Sequence, residues 1–287
     1  MNVAFLGTGI LGYPMAERLC LSNKHKVFVY NRTVSKATPL GKLGALVVES
    51  ASRAVSSGDC VILTLSDYPA IQDVLFGKDA GALKGKTVIQ MGTIAPGQSI
   101  ELQKKIFQQG GEYLECPVLG SKGEAQQAKL ILMVGATKEK FEKWKIFLCV
   151  FGPDPRFIGE VGKAAAIKLA LNQIIASHIA GISLSLGIVE KNGIDPDQFI
   201  AILKESSLFA PTFERKLPSF KQRNFENPNF PVKHLLKDVD LIIEEAKDKK
   251  LATPVIEAIG KILQQTVRDG LGEKDYAAIF KTINKIK

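Results

Sequence analysis

One hexapeptide limits this chain more than anything else in it. Gly7-Thr8-Gly9-Ile10-Leu11-Gly12 reads G-x-G-x-x-G, directly after the apolar run from Val3 to Leu6 and directly before the helical pattern Met15-Ala16-Glu17-Arg18-Leu19. A strand that passes through three glycines into a helix supplies the context that makes the motif specific. The first glycine permits the tight turn, the second lets a pyrophosphate approach the backbone, and the third lets helix and strand pack closely. The open N–H groups of the helix N-terminus then face the phosphates. These residues predict a Rossmann β-α-β unit that holds a dinucleotide through Gly7, Gly9, Ile10, Leu11 and Gly12.

The end of the second strand, Val27-Phe28-Val29-Tyr30, decides which dinucleotide is expected. About 20 residues after the glycines, NAD sites usually carry Asp or Glu to hold the ribose hydroxyls. Here the strand runs into Asn31-Arg32-Thr33-Val34-Ser35-Lys36, with no carboxylate. Arg32 can form a bidentate, charge-assisted pair with a 2′-phosphate, and Asn31, Thr33 and Ser35 can add hydrogen bonds. The expected cofactor is NADP(H).

Short apolar or β-branched runs alternate with helical patterns up to about residue 150: Val3 to Leu6, Lys26 to Tyr30, Ala45 to Val48, Cys60 to Leu65, Thr87 to Gln90, Gly111 to Glu115 and Ile131 to Val134. Such alternation predicts an α/β, doubly wound and mostly parallel sheet. After the breaker cluster Phe151-Gly152-Pro153-Asp154-Pro155 only Arg156-Phe157-Ile158 still reads as a strand. From there the pattern is helical: Lys163 to Lys191, stopped by Asn192-Gly193, then Pro196 to Lys204, Pro211 to Phe220, Val232 to Lys249, Thr253 to Asp269 and Tyr276 to Lys287. The expectation is a dinucleotide domain over 1–160 and an all-α domain over 161–287. Apolar residues lie on several faces of the long helix, as for one buried between domains or subunits, and favour a homodimer or homotetramer.

Composition removes other classes. The four cysteines (20, 60, 116 and 149) are far apart and lack metal-ligand spacing, so they read as reduced core thiols and no metal site is expected. The net charge of +9 comes from lysines scattered along helices rather than a basic tract with aromatic partners, which argues against nucleic acid. Lys or Glu interrupts each apolar stretch short of about 20 residues, so no membrane span is expected. The start of the chain has no basic region before its apolar run and no cleavage signal. A cytoplasmic protein is expected, or one in an organelle.

On the signature from Val3 to Ala16, the chain resembles the β-hydroxyacid dehydrogenase family, and on Asn31-Arg32-Thr33 its NADPH-dependent glyoxylate/succinic semialdehyde reductase branch. The resemblance covers the whole chain and implies roles for further residues. Leu65 and Ser66 match the loop over the adenosine side of the cofactor. In Met91-Gly92-Thr93-Ile94-Ala95-Pro96, Thr93 contacts cofactor and substrate. The substrate loop stands as Glu115-Cys116-Pro117-Val118-Leu119-Gly120-Ser121-Lys122, in which Leu119 replaces the family serine that helps hold a carboxylate. Gly120 and Ser121 remain, and their backbone N–H groups can bind an oxyanion.

In Gly162-Lys163-Ala164-Ala165-Ala166-Ile167-Lys168-Leu169-Ala170-Leu171-Asn172 the resemblance makes Lys168 the catalytic lysine. Lys168 and Asn172 are four residues apart and share a helix face. A lysine that burial tunes suits proton transfer to a carbonyl oxygen, and Asn172 can orient it or bind substrate directly. Further on, Lys237 matches a cofactor contact, while Phe230 and Asp238 match positions lining the active site; on pattern alone Lys237 and Asp238 would be a solvated pair. The expected activity is NADPH-dependent reduction of a small carboxylate-bearing aldehyde or keto acid, such as glyoxylate or succinic semialdehyde, with Lys168 as proton donor. Its rivals are an NAD-dependent 3-hydroxyisobutyrate or tartronate semialdehyde enzyme, an imine reductase, which would lack the lysine, and a non-catalytic dinucleotide-binding module.

Overall fold

The computed structural model describes residues 1–78 and 80–284 and divides the chain into two compact units, Met1–Lys168 and Leu169–Lys287. In the first, strands β1 (Asn2–Leu6), β2 (Lys26–Tyr30), β3 (Leu46–Val47), β4 (Cys60–Leu63), β5 (Thr87–Gln90), β6 (Glu112–Glu115), β7 (Val118–Leu119), β8 (Ile131–Gly135) and β9 (Arg156–Gly159) form one sheet. Between them lie α1 (Gly12–Leu21), α2 (Ala51–Ser57), α3 (Tyr68–Phe76), α4 (Pro96–Gln108), α5 (Lys122–Gln126) and α6 (Lys138–Leu148). The order β3-β2-β1-β4-β5-β6-β8-β7 is parallel through β6; β8 then runs antiparallel to β6 and β7, with β9 parallel to β8. The first six strands have the order of a Rossmann domain, whose ligand crevice opens at the carboxyl ends where the order reverses, beside β1 and β4.

The strands separate two cores by their two-residue period. Val3, Phe5, Cys60 and Ile62 face Met15 and Leu19 of α1 and Trp144 and Leu148 of α6. Ala4, Leu6, Val61 and Leu63 face Val55 of α2, Leu75 of α3 and Leu102 of α4. Burial on both faces explains why these strands read as continuous apolar runs. The two-residue β7 was not expected, since it lies inside a loop motif. The fourth run ends at Leu63, which leaves Thr64 and Leu65 free to form a loop. Of the cysteines, 20, 60 and 116 are buried thiols, but Cys149 is exposed, where α6 ends and the chain turns.

The division between units falls within α7 (Lys163–Lys191). It closes with Gly193 in the left-handed region (φ 71) and Ile194 N–H bonded to Val189 O at 3.1 Å, the glycine stop expected there. Helices α8 (Pro196–Glu205), α9 (Pro211–Glu214), α10 (Leu217–Gln222), α11 (Val232–Asp248), α12 (Pro254–Thr266) and α13 (Ile279–Ile283) follow. The single helix expected over 211–220 is broken in two, because the ring of Pro218 is incompatible with the carbonyl of Glu214, where α9 ends. The helix expected to reach Asp269 is α-helical to Thr266 and continues as a π-helical turn over Val267–Leu271, kinked at Gly270 (φ 79). Residues 285–287, expected as the end of the last helix, lie outside the described residues.

By length and apolarity alone α7 is able to cross a bilayer, a correction to the expectation of no such segment. No Asp, Glu, Lys or Arg occurs from Leu169 to Val189. Its Leu169, Ala176, Ile179, Ile182 and Leu186 instead form a core with Leu235 and Val239 of α11, Leu263 of α12 and Phe280 of α13.

Candidate active site

The glycine turn is shaped by what surrounds each missing side chain. Gly7 has φ +101, and a Cβ there would lie 2.7 Å from Thr64 O. A Cβ on Gly12 would meet Thr64 Oγ1 at 2.5 Å and overlap the Gly7 carbonyl, whereas Gly9 has open space. Two glycines thus let the turn close and the middle one leaves its surface bare. Thr64 Oγ1 donates to Gly7 O (2.6 Å), fixing the turn from beneath. Leu11 leads into α1 with no side-chain cap and no acidic residue in the first turn, so the helix dipole is open to an anion.

Asn31 is used inside the protein. It accepts from Thr8 N–H (2.9 Å) and donates to Thr33 O (2.9 Å), binding the turn after β2 to the glycine turn. Arg32, Thr33 and Ser35 are exposed. Leu65 packs against Gly7, and Ser66 donates to Asp67, the N-cap of α3 (2.9 Å). The carbonyl of Leu65 also lies where a Cβ on Gly92 would be, at 2.9 Å, so the loops after β1, β4 and β5 adjoin. Thr93 is half-buried in the last of these.

The substrate-loop motif takes an unexpected form. Gly120 has φ +139, and a Cβ there would approach Leu130 Cδ2 at 2.7 Å, so glycine is required. Ser121 caps α5, with its N–H (2.8 Å) and its hydroxyl (2.5 Å) both donating to Glu124 Oε2. The expectation that the Ser121 N–H is open to an oxyanion is therefore corrected: the Glu124 carboxylate holds it. Leu119 is half-buried in β7.

Lys168 is half-buried on α7, one turn before Asn172, which is 1% exposed. Asn172 Nδ2 donates to Asp238 Oδ2 at 2.6 Å, and Lys237 Nζ lies 2.7 Å from Asp238 Oδ1. Asp238 is 2% exposed, so it is a buried clamp and not the solvated partner its pattern suggested. Because a carboxylate only accepts, the amide must present its NH₂ to it. Asn172 Oδ1 is left buried, with no hydrogen-bond partner among the described residues. Phe230 is half-buried against the Tyr276 ring, with centroids 5.8 Å apart. Tyr276 follows Asp275, whose buried carboxylate pairs with Lys216 Nζ at 2.8 Å. His234, also on α11, is held below its ordinary pKa by burial first and by Lys233 and Lys237 next, against Asp238 and Glu273.

Comparison with known proteins gives this geometry a family. Residues 2–161 match the NAD binding domain of 6-phosphogluconate dehydrogenase, and residues 162–283 match the NAD-binding region of NADP-dependent 3-hydroxyisobutyrate dehydrogenase. Glyoxylate/succinic semialdehyde reductase 1 of Arabidopsis thaliana is 33% identical over 99% of this chain and 98% of its own length. The chloroplastic reductase 2 of that plant is 32% identical over 100% and 80%. The chain belongs to the β-hydroxyacid dehydrogenase family. Like other β-hydroxyacid dehydrogenases it is an oxidoreductase acting on hydroxyl or carbonyl groups, with an NAD(P)-binding domain. A solved 3-hydroxyisobutyrate dehydrogenase from Salmonella typhimurium has the same fold, with TM-score 0.88 at 20% identity over 98% of this chain and 99% of that one.

The residues of this dehydrogenase fit a dinucleotide. Gly9 leaves a surface clear of side chains, the N-terminus of α1 is uncapped, and the buried hydroxyl of Thr8 has no hydrogen-bond partner among the described residues. Sequence reasoning did not find Thr64, which keeps the β-hydroxyacid dehydrogenase turn in place; a hydroxyl directly after the fourth strand was the available signal. Nor did it join Asn172 to Asp238, for which the sequence offers no signal over 66 positions.

Proposed function

We propose that this dehydrogenase is an NADPH-dependent reductase of a small aldehydo or keto acid, glyoxylate or succinic semialdehyde, with Lys168 as the proton donor. The buried clamp on Asn172 carries the reading. An apolar helix interior holds an ion pair and an oriented amide one turn from a lysine, and uncompensated polar groups there would be costly. The names of the Arabidopsis relatives support the acid class, and Arg32 without an acidic neighbour after β2 supports the 2′-phosphate.

Bound NADPH supplies the hydride to the carbonyl carbon. Lys168 holds an ammonium proton toward the carbonyl oxygen and transfers it as negative charge develops there. Asn172, oriented by Asp238, offers Oδ1 to the Lys168 ammonium or to a substrate hydroxyl. Thr93 and the backbone at Gly120 hold the acid, Ser121 joins when Glu124 releases it, and Leu119 limits what fits; Phe230 keeps the active-site role that the family resemblance implies. Lys237 and the loop Leu65-Ser66 support the cofactor.

The test assays aldehydo and keto acids with NADPH and NADH on wild type, Lys168→Ala and Arg32→Ala. Lys168→Ala should lose about 10²- to 10⁴-fold in kcat with NADPH affinity retained. Arg32→Ala should weaken NADPH by about tenfold or more while leaving NADH unchanged. Turnover by Lys168→Ala above about a tenth of wild type would overturn the proton-donor role. Equal affinities for the two cofactors in wild type would overturn the NADPH preference.

A further inference from the structure

Glu115 closes β6 with 1% exposure, where an unsatisfied carboxylate would be expensive. Its Oε1 accepts the N–H groups of Gly162 (2.8 Å), Ala164 (2.9 Å) and Ala165 (3.3 Å) at the start of α7. Its Oε2 accepts the hydroxyl of Ser99 on α4 at 2.5 Å. That hydroxyl lies 2.8 Å from the phenol of Tyr113; since Ser99 donates to Glu115, Tyr113 donates to Ser99. Burial first, with Glu115 nearby, pushes the Tyr113 phenol well up, so the donor keeps its proton. Hydrogen bonds thus run in one direction, from Tyr113 through Ser99 to a carboxylate that the helix dipole of α7 also stabilises.

Three chain segments meet on this carboxylate. Strand β6 leads directly into Cys116-Pro117-Val118-Leu119-Gly120-Ser121. Helix α4 begins after the Thr93 loop, and its Ser99 N–H bonds to Ala95 O at 3.0 Å. Helix α7 carries Lys168, four residues after Ala164 and therefore one hydrogen-bonded turn from the cap. Gly135, paired with Glu115 across β6 and β8, leaves room for the carboxylate, which a Cβ would overlap.

The other caps in this unit differ. Helices α2, α3 and α6 are capped by Ser50, Asp67 and Thr137 from their own N-termini. Such a cap stabilises a helix but does not fix it to anything else. The acceptor for α7 comes from 47 to 50 residues upstream, on the sheet, so it sets the position of the first turn against β6.

We propose that Glu115 is a positioning residue, which holds the Lys168-bearing turn of α7 in register with the loops that carry Thr93 and Gly120. The inference rests on the reading of Lys168 as proton donor. Only the acceptor oxygen on the α7 amides is needed for it, so Gln should substitute in part and Ala should not.

The test compares Glu115→Ala, Glu115→Gln and Lys168→Ala in steady-state kinetics, NADPH titration and hydrogen exchange of the Ala164 and Ala165 amides. Glu115→Ala should lower kcat about 100-fold, as for a displaced catalytic group, with substrate KM and NADPH affinity within about threefold of wild type. Exchange at Ala164 and Ala165 should accelerate while the β1 and β4 amides stay protected. Glu115→Gln should recover at least about tenfold of the lost kcat and restore protection. Should Glu115→Ala fail to fold, Glu115→Gln and Glu115→Asp decide: Asp, with its acceptor drawn back, should be slower than Gln. If Lys168→Ala is inactive while the Glu115 variants turn over at the wild-type rate, the positioning role is wrong and the proton donor stands. If Lys168→Ala is active, the proton-donor reading fails, and the positioning role with it.

Discussion

The glycine turn and the Asn172–Asp238 clamp are made in opposite ways. The turn acts through backbone: its glycines and N–H groups lie within six consecutive residues, and its function depends on side chains that are absent. The clamp acts through side chains 66 residues apart, brought together by the packing of α7 and α11. A backbone site tolerates change in neighbouring side chains but no added atom at its glycines. A side-chain site tolerates backbone shifts but not the loss of any partner.

Gly12→Ala is the strongest way to break that contrast. The new methyl would overlap Gly7 O and approach Thr64 Oγ1 at 2.5 Å, and neither can move without opening the turn. Overpacking of this kind costs about 1–3 kcal/mol. If the strain falls on the cofactor-binding conformation, the NADPH Kd rises about 5- to 150-fold. Fluorescence titration checks this, and an unchanged Kd would mean that the turn is soft. Gly9→Ala, with open space at that position, should not lower the melting temperature, so whatever it does to NADPH binding reports on the bare surface alone.

The same contrast explains what the sequence made legible. The succession of strands along the chain, the glycine turn and the boundaries of α7 follow from local patterns, and the edges of every strand but β7 were found to within about two residues. The antiparallel edge at β8 was not readable, because a short apolar run does not state its direction. Nothing in the sequence marks out Lys216; the break at Pro218 and the distant Asp275 make it a buried ion pair. Ser121 kept its expected place but not its expected freedom, since a carboxylate three residues later satisfies it. Glu115 stood in the quoted loop motif without a role, because its partners Ser99, Gly162 and Ala164 belong to other segments.

Asp238→Ala attacks the other side of the comparison. It leaves the buried NH₂ of Asn172 without its acceptor and removes one charge partner of Lys237. An orphaned buried donor costs about 1–3 kcal/mol, which thermal or denaturant unfolding would register. Once the amide is free to turn, kcat should fall about tenfold, with NADPH affinity less affected. Asp238→Asn keeps an acceptor for Asn172 and should lose less on both counts. Equal effects from the two variants would show that charge, rather than orientation, is the function of the clamp.

The smallest expected effect is confined to pH. His234 is half-buried on α11 beside Lys233 and Lys237, and burial with those two charges holds its pKa down, opposed by Asp238 and Glu273. In the unfolded chain the imidazole returns to the ordinary value of about 6.5. As pH falls below that value the unfolded state takes up a proton before the folded state does, so stability is lost with acidification and is unaffected at higher pH. His234→Gln should therefore match wild type in melting temperature at pH 8 and fall less steeply than wild type between about pH 6.5 and 5. Parallel slopes would mean that the imidazole is solvated in the folded state. The glycine turn has no titratable group in its six residues, and NADPH binding should keep its pH dependence in this variant even as the stability of the helical unit changes.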